Sequence, residues 1–436
     1  MIFLFVLLFT SININVSGAE KPKIGCNDFY EYYGTQHDLI VEECKLAKLR
    51  FFSKYMEKYN QWPLAIEIRN EPSIYLNLHK VDNIATKNTP IYFGNNNGTV
   101  DCTTTYEKFR IDTIFDNLRE VVMFQDYDNK AAITIFWHGE NNVILEGFIG
   151  NYILRQTEDK NYFLLKVTYP IDEFENDEYK KYKKNDRFAK HNLSSPEEEI
   201  IVKVLVALDW TSAQQEVAQV VSSLLVYYNA VNMLFQPFTS PKIKVAVSGI
   251  IYPNTEFSTP YFSNSKTQFP GYDETYIKLN SANENFRKHF LNEEAKVFPN
   301  SLFDVIIGMT GQPICDADYN CQYYGVSDQS VIYNRGKNAE KNDPIPIVGV
   351  VRHPSFQGNY AVVAREIAHI LGSSYNTRWY AFNNCNGIMN KFVRPDNWPL
   401  DWSACNIDDM SLYFSLNQSS GFSTRKNFRA LNSKLW

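Results

Sequence analysis

Residues 364–375 read Ala-Arg-Glu-Ile-Ala-His-Ile-Leu-Gly-Ser-Ser-Tyr, and the fold turns on how they are read. From Tyr360 to Leu371 the apolar side chains recur at helical spacing. Gly372 follows, a residue type that lets a chain leave a helix sharply. Arg365 and His369 are four apart and so share one face of that helix, one turn above the other, with Glu366 beside them. A buried amphipathic helix with a stray Glu and His would account for residues 359–371 taken alone. The sequence around them asks for more.

The stretch has the outline of the zinc-binding pattern His-Glu-x-x-His-x-x-Gly-x-x-His. In that pattern two imidazoles one turn apart reach a single ion, and the Glu takes a proton from the metal-bound water. Here Glu366 occupies the general-base position, His369 is the one intact ligand, and Gly372 is in place. Arg365 and Tyr375 occupy the other two ligand positions. A guanidinium stays protonated, offers no lone pair, and sets a fixed positive charge where a divalent cation would lie. A tyrosine phenol, with a pKa of about 10, must lose a proton to ligate. Catalytic zinc takes three protein ligands, so both departures argue against zinc binding here. Without the ion, water keeps a pKa near about 15.7, and Glu366 becomes a structural carboxylate. Arg365 is then expected to replace the ion's charge and pair with an acidic neighbour.

Flanking blocks agree with this outline. Cys385-Asn-Gly-Ile-Met389 is similar to a Met-turn, with Met389 as the floor of the site. Trp402-Ser-Ala-Cys-Asn-Ile-Asp-Asp409 resembles a Phe-Ser-x-Cys-Ser-x-x-Asp helix opening. Val202–Asp209 is an apolar strand ending in Asp, Tyr228–Phe235 carries Asn-x-x-Asn, and Phe303–Gly311 ends in Thr-Gly. Over residues 198–419 the sequence resembles the reprolysin (adamalysin/ADAM-type) branch of the metzincin metalloproteases, with secreted arthropod versions such as parasitoid-wasp venom metalloproteinases nearest in layout. The resemblance implies an α/β (α+β) domain with a mixed, mostly parallel sheet and a long motif helix, preceded by a mainly β prodomain-like region. Zinc is the family's cofactor. It further implies a secreted venom or salivary-type factor, acting on secreted or host proteins as substrates or binding partners. Arg365 and Tyr375 imply that it is inactive or strongly impaired. The alternative is an active zinc-dependent endopeptidase with Glu366 as general base.

Bulk properties set the remaining bounds. The 436 residues suggest two or three domains. A net charge of −6 leaves no electrostatic footprint for nucleic acid. Ile2–Phe9 is an apolar run followed by small and polar residues to Ala19, which reads as a signal peptide over residues 1–18 and predicts an extracellular product; a monomer is expected. No later stretch reaches the roughly 18 apolar residues of a membrane span. Seven cysteines fit an oxidising compartment. Cys315, Cys321, Cys385 and Cys405 allow three pairings, of which Cys315–Cys321 with Cys385–Cys405 is favoured. Cys26, Cys44 and Cys102 are an odd number, so one is free or pairs outside its half. Glycosylation sequons stand at Asn97, Asn192 and Asn417.

Residues 19–196 form the prodomain-like region, residues 197–419 the reprolysin-like domain, and residues 420–436 a short basic tail. Alternation in Ala132–Trp137 and Phe148–Leu154 predicts strands, whereas His37–Tyr59 has helical spacing. The charged stretch Asp172–His191, with its Lys180–Lys184 run, reads as a solvated linker or a processing site. Beyond it, strand and helix alternate. The main expected helices are Thr211–Phe235, capped by Thr211 or Ser212, then Ser281–Ala295, the motif helix, and Ile407–Leu416. His353 could in principle substitute as a ligand, and Cys102 as a zinc-capping thiolate, but a surface histidine and a disulfide partner are the plainer readings.

Overall fold

The computed structural model describes residues 26, 40–51, 61–82, 84–96, 98, 104–139, 142–157, 160–168, 199–239, 241–263, 265–270, 274–292, 297–298, 302–321, 324–328, 347–352, 360–373, 387–389 and 399–418. In chain order these give ten strands: β1 (Ile40–Phe51), β2 (Gln61–Ile68), β3 (Ile74–Val81), β4 (Pro90–Asn95), β5 (Thr105–Arg110), β6 (Leu118–Asp126), β7 (Ala131–His138), β8 (Asn142–Ile149), β9 (Tyr152–Gln156) and β10 (Tyr162–Thr168). All but β4 and β5 close into an antiparallel barrel, in the order β1-β10-β9-β8-β7-β6-β3-β2. The inward set, including Trp62, Leu64, Leu78, Phe124, Ile133 and Leu154, fills the barrel as one buried cluster. A closed barrel leaves no edge to template aggregation, and its interior is the natural place for every second residue of each strand.

The helical reading of His37–Tyr59 is corrected here, for residues 40–51 are strand β1. Its Glu and Lys residues mimic a charged helix face, but on the strand they pair with neighbouring strands, as Glu42 does with Lys166 at 2.7 Å. Hydrogen bonding to β10 on one side and β2 on the other outweighs local spacing. A bulge between Val41 and Glu43 also breaks the alternation that marks a strand in sequence.

The second half contributes β11 (Glu199–Leu208), α1 (Val217–Leu234), β12 (Lys242–Pro253), β13 (Lys266–Gln268), β14 (Thr275–Lys278), α2 (Leu279–Asn292), β15 (Val305–Thr310), β16 (Ile314–Cys315), β17 (Gly325–Ser327), β18 (Ile347–Arg352), α3 (Ala361–Ile370) and α4 (Ala404–Gln418). A seven-stranded sheet runs β17-β18-β15-β11-β12-β4-β5, and β13-β14-β16 form a small one. The inner junctions of the large sheet, β18-β15, β15-β11, β11-β12 and β12-β4, are parallel. Both edge junctions, β17-β18 and β4-β5, are antiparallel. The fold is therefore mixed α/β, with parallel pairing in the middle of this sheet and between β14 and β16 of the small one. β11 and β15 are nearly continuous apolar runs because both sheet faces are covered. One face carries Phe262, Phe286 and Phe290 from the α2 side, and the other carries α1 and α3.

Hydrogen bonding does not stop at residue 196. β4 and β5, from the first half, complete the large sheet beside β12. Helix α1 lies between that sheet and the barrel, and it is buried on all sides from Val220 to Leu234 save Ser222. It is the one described helix long and apolar enough to cross a membrane, but 78% of it is buried in the fold. The expected caps Thr211 and Ser212 belong instead to a 3-10 turn, Trp210–Ser212, and α1 starts later at Val217. Thr211 is occupied elsewhere: its hydroxyl donates to Asp209 at 2.8 Å and accepts from the Gly311 amide at 2.9 Å.

Candidate functional site

Helix α3 ends at Ile370, and Gly372 turns the chain away at φ +103°. On it Arg365, Glu366 and His369 are all buried, Glu366 completely. Three polar side chains inside an apolar helix need partners, because a buried unpaired group costs about 1–3 kcal/mol. The partners come from β17, the edge strand above α3. The Ser327 hydroxyl lies 2.6 Å from Glu366 Oε2 and 3.0 Å from His369 Nδ1. With its single proton on the carboxylate, the hydroxyl oxygen accepts from His369 in the tautomer that carries its proton on Nδ1. Arg365 Nη1 stands 3.9 Å from Glu366 Oε1. The carboxylate thus lies between a guanidinium and a hydroxyl, and the acidic group beside Arg365 is its immediate neighbour Glu366.

The edge strand presses hard on this carboxylate. A Cβ added to Gly325 would come within 2.7 Å of Glu366 Cγ and 2.8 Å of Oε1, so only glycine allows the approach. Strand β17 is pinned at its other end as well. Asp328 pairs with Arg287 of α2 and accepts from the Val348 amide at 3.0 Å. Burial pushes the Asp328 carboxyl up, and the Arg287 charge opposes that shift. Glu366 therefore sits in a closed pocket of side chains from its own chain.

Met389 is fully buried beside Ile388, and the Ile388 amide donates to Asp401 O at 2.9 Å. A Cβ on Gly387 would meet the Ser403 amide nitrogen at 2.6 Å, which explains the glycine of the Cys-Asn-Gly-Ile-Met run. Trp402 at the start of α4 donates its indole N–H to Leu234 O, tying that segment to α1. Cys315 and Cys321 form a disulfide, as do Cys26 and Cys44. Cys405 is also disulfide-bonded, to a partner outside the described residues. Tyr375, Cys385, Cys102, His353, Asn97 and Asn192 lie outside the described residues, and Asn417 falls within α4.

At the motif the described side chains are the donors Glu366 and His369 and the Arg365 cation, which has no lone pair to offer a metal. Among the described residues no group of three or more His, Cys, Asp and Glu side chains could hold a metal ion. The nearest side chain to His369 on the helix face one turn earlier is a cation. Sequence reading missed Ser327 and Gly325, the two residues that enclose Glu366. Neither carries a local signal, for Tyr-Gly-Val-Ser-Asp is an unremarked short strand whose role depends on a helix some forty residues on.

The buried imidazole makes a pH prediction. Burial depresses the His369 pKa below its ordinary 6.5, with the Arg365 charge acting the same way and Glu366 opposing. A depressed folded value means that this contribution to stability is complete above pH 6.5 and is lost as pH falls toward the folded value. Denaturant unfolding between about pH 7.5 and about pH 5 should fall more steeply for the native protein than for His369→Gln. Equal slopes would mean that His369 is not held neutral.

No protein-family model matches the chain. A stretch of 143 residues is 31% identical to Venom metalloproteinase 2 from Eulophus pennicornis, covering 30% of this chain and 34% of that protein. The match thus spans about a third of the curated relative's length. Among solved structures, metalloproteinase-II from Bacteroides fragilis aligns over 79% of this chain and 89% of its own, at 13% identity and a TM-score of 0.36.

Proposed function

We propose that this chain is a secreted, reprolysin-like metalloendopeptidase homologue of venom or salivary type that binds proteins without cutting them. The observation that carries the reading is the buried Arg365 guanidinium, 3.9 Å from Glu366 and one turn before His369. A divalent ion there would face a permanent cation, and the general base would have no activated water to work on. The partial likeness to a venom metalloproteinase and the disulfides support the extracellular setting. Its partners would be host or other secreted proteins.

One observation favours the alternative of an active zinc endopeptidase. The Ser327 hydroxyl lies 3.0 Å from His369 Nδ1, the kind of outer partner that orients a metal-ligating imidazole. Peptide cleavage separates the two. Purified protein, supplied with zinc and assayed on mixed fluorogenic peptides, should show no chelator-sensitive hydrolysis above that of Glu366→Gln. Chelator-blocked turnover that disappears in Glu366→Gln would establish the alternative.

A further inference from the structure

We propose that the N-terminal half is a permanent part of the folded molecule, so that a cut in the linker leaves a two-chain complex and releases no free C-terminal domain. A leader that is to be shed should dock through its surface alone. Here the first half enters the body of the second at two separate places.

The first is the large sheet. Between β3 and β6 the chain leaves the barrel, lays the β4–β5 hairpin against β12, and returns. The pairing is in register from Ile250 opposite Ile91 to Pro253 opposite Gly94. Further backbone bonds extend it at both ends, from the Val247 amide to Ile84 O at 2.7 Å and from the Asn254 amide to Gly94 O at 3.0 Å. Tyr92 and Tyr106 of the hairpin stack edge-on against Phe298 at 4.9 and 5.0 Å. Without the hairpin, Ile250–Pro253 of β12 would become a bare apolar edge, which soluble proteins avoid.

The second place is helix α1. A helix buried on every side needs cover on both flanks, and the barrel supplies one of them. Asn229, fully buried, donates its amide to Ile133 O at 3.1 Å and Thr134 Oγ1 at 3.2 Å, and accepts from Gln125 Nε2 at 2.9 Å. Arg155 of β9 reaches Ser223 on α1 at 2.9 Å while paired with Glu146 at 2.9 Å. The contact continues to the motif helix, where Phe148 packs on Tyr360 at 4.9 Å. Removing the barrel would expose polar groups whose partners it holds, along with an apolar helix face.

The test uses the full chain carrying Cys102→Ser, so that no disulfide can join the halves, with a site-specific protease sequence substituted at residues 181–187. After complete cutting, the two fragments should co-elute in native size-exclusion chromatography at one-to-one stoichiometry and at the mass of the uncut protein. They should part only in denaturant. Amides of Ile250 and Tyr252 should keep their protection from hydrogen exchange after the cut. Separation of the fragments without denaturant, whether the C-terminal piece stays soluble or precipitates, would overturn the proposal. So would loss of that protection.

Discussion

Replacing Arg365 with alanine is expected to lower the stability of the protein by about 3 kcal/mol, the lower end of the range for breaking a buried ion pair from one side. Both partners are out of water, with side-chain exposures of 8% for Arg365 and 0% for Glu366. Truncating the arginine leaves a wholly buried carboxylate without its adjacent cation. The 3.9 Å separation sets the figure at the low end, since Coulomb attraction weakens with distance. The signature that distinguishes charge from lost packing is a second variant. Arg365→Met with Glu366→Leu removes both charges at nearly constant volume and should recover most of the loss. Urea unfolding followed by circular dichroism gives both values. An Arg365→Ala midpoint equal to the native one would show that the guanidinium does not balance the carboxylate.

Asn229→Leu should be at least as damaging. This side chain serves three acceptors and one donor at the junction of α1 and the barrel: Phe124 O at 3.4 Å, Ile133 O at 3.1 Å, Thr134 Oγ1 at 3.2 Å, and the Gln125 amide at 2.9 Å. Leucine matches its size but answers none of them. Each buried group left unsatisfied costs about 1–3 kcal/mol, so even partial relaxation leaves a loss of about 3–5 kcal/mol. By contrast Ser222→Ala, on the same helix with its hydroxyl bonded only to Gln219 O at 3.0 Å and exposed, should cost under about 0.5 kcal/mol. Thermal denaturation of the three proteins side by side checks the ranking. If Asn229→Leu melts with the native chain, the barrel and α1 are not joined through that amide.

These two residues show how far the sequence could be read. Asn229 and Asn232 stood out as an Asn-x-x-Asn run at the end of a helix, and the helix is there. What the pair does depended on elements far off in the chain: Asn229 meets β6 and β7, and Asn232 accepts from the Val245 amide of β12 at 2.8 Å. The strand-helix order after residue 199 was legible because parallel strands buried on both faces read as unbroken apolar runs. The β4–β5 addition was not, because its partner lies some 150 residues away and edge strands carry mixed, exposed side chains. Likewise the motif helix announced Arg365, Glu366 and His369, while Ser327 and Gly325, which close over them, had no pattern of their own. Local spacing reports which face of an element is buried; it does not report what buries it.

The central claim is that Arg365 occupies the place of a metal ligand and its charge replaces that of the ion. Metal analysis of purified, full-length protein tests it most directly: dialyse against micromolar zinc, remove the excess, and measure bound zinc per chain by atomic emission. The account predicts zinc well below one equivalent, unchanged in His369→Gln. About one equivalent of zinc per chain, lost in His369→Gln, would contradict it.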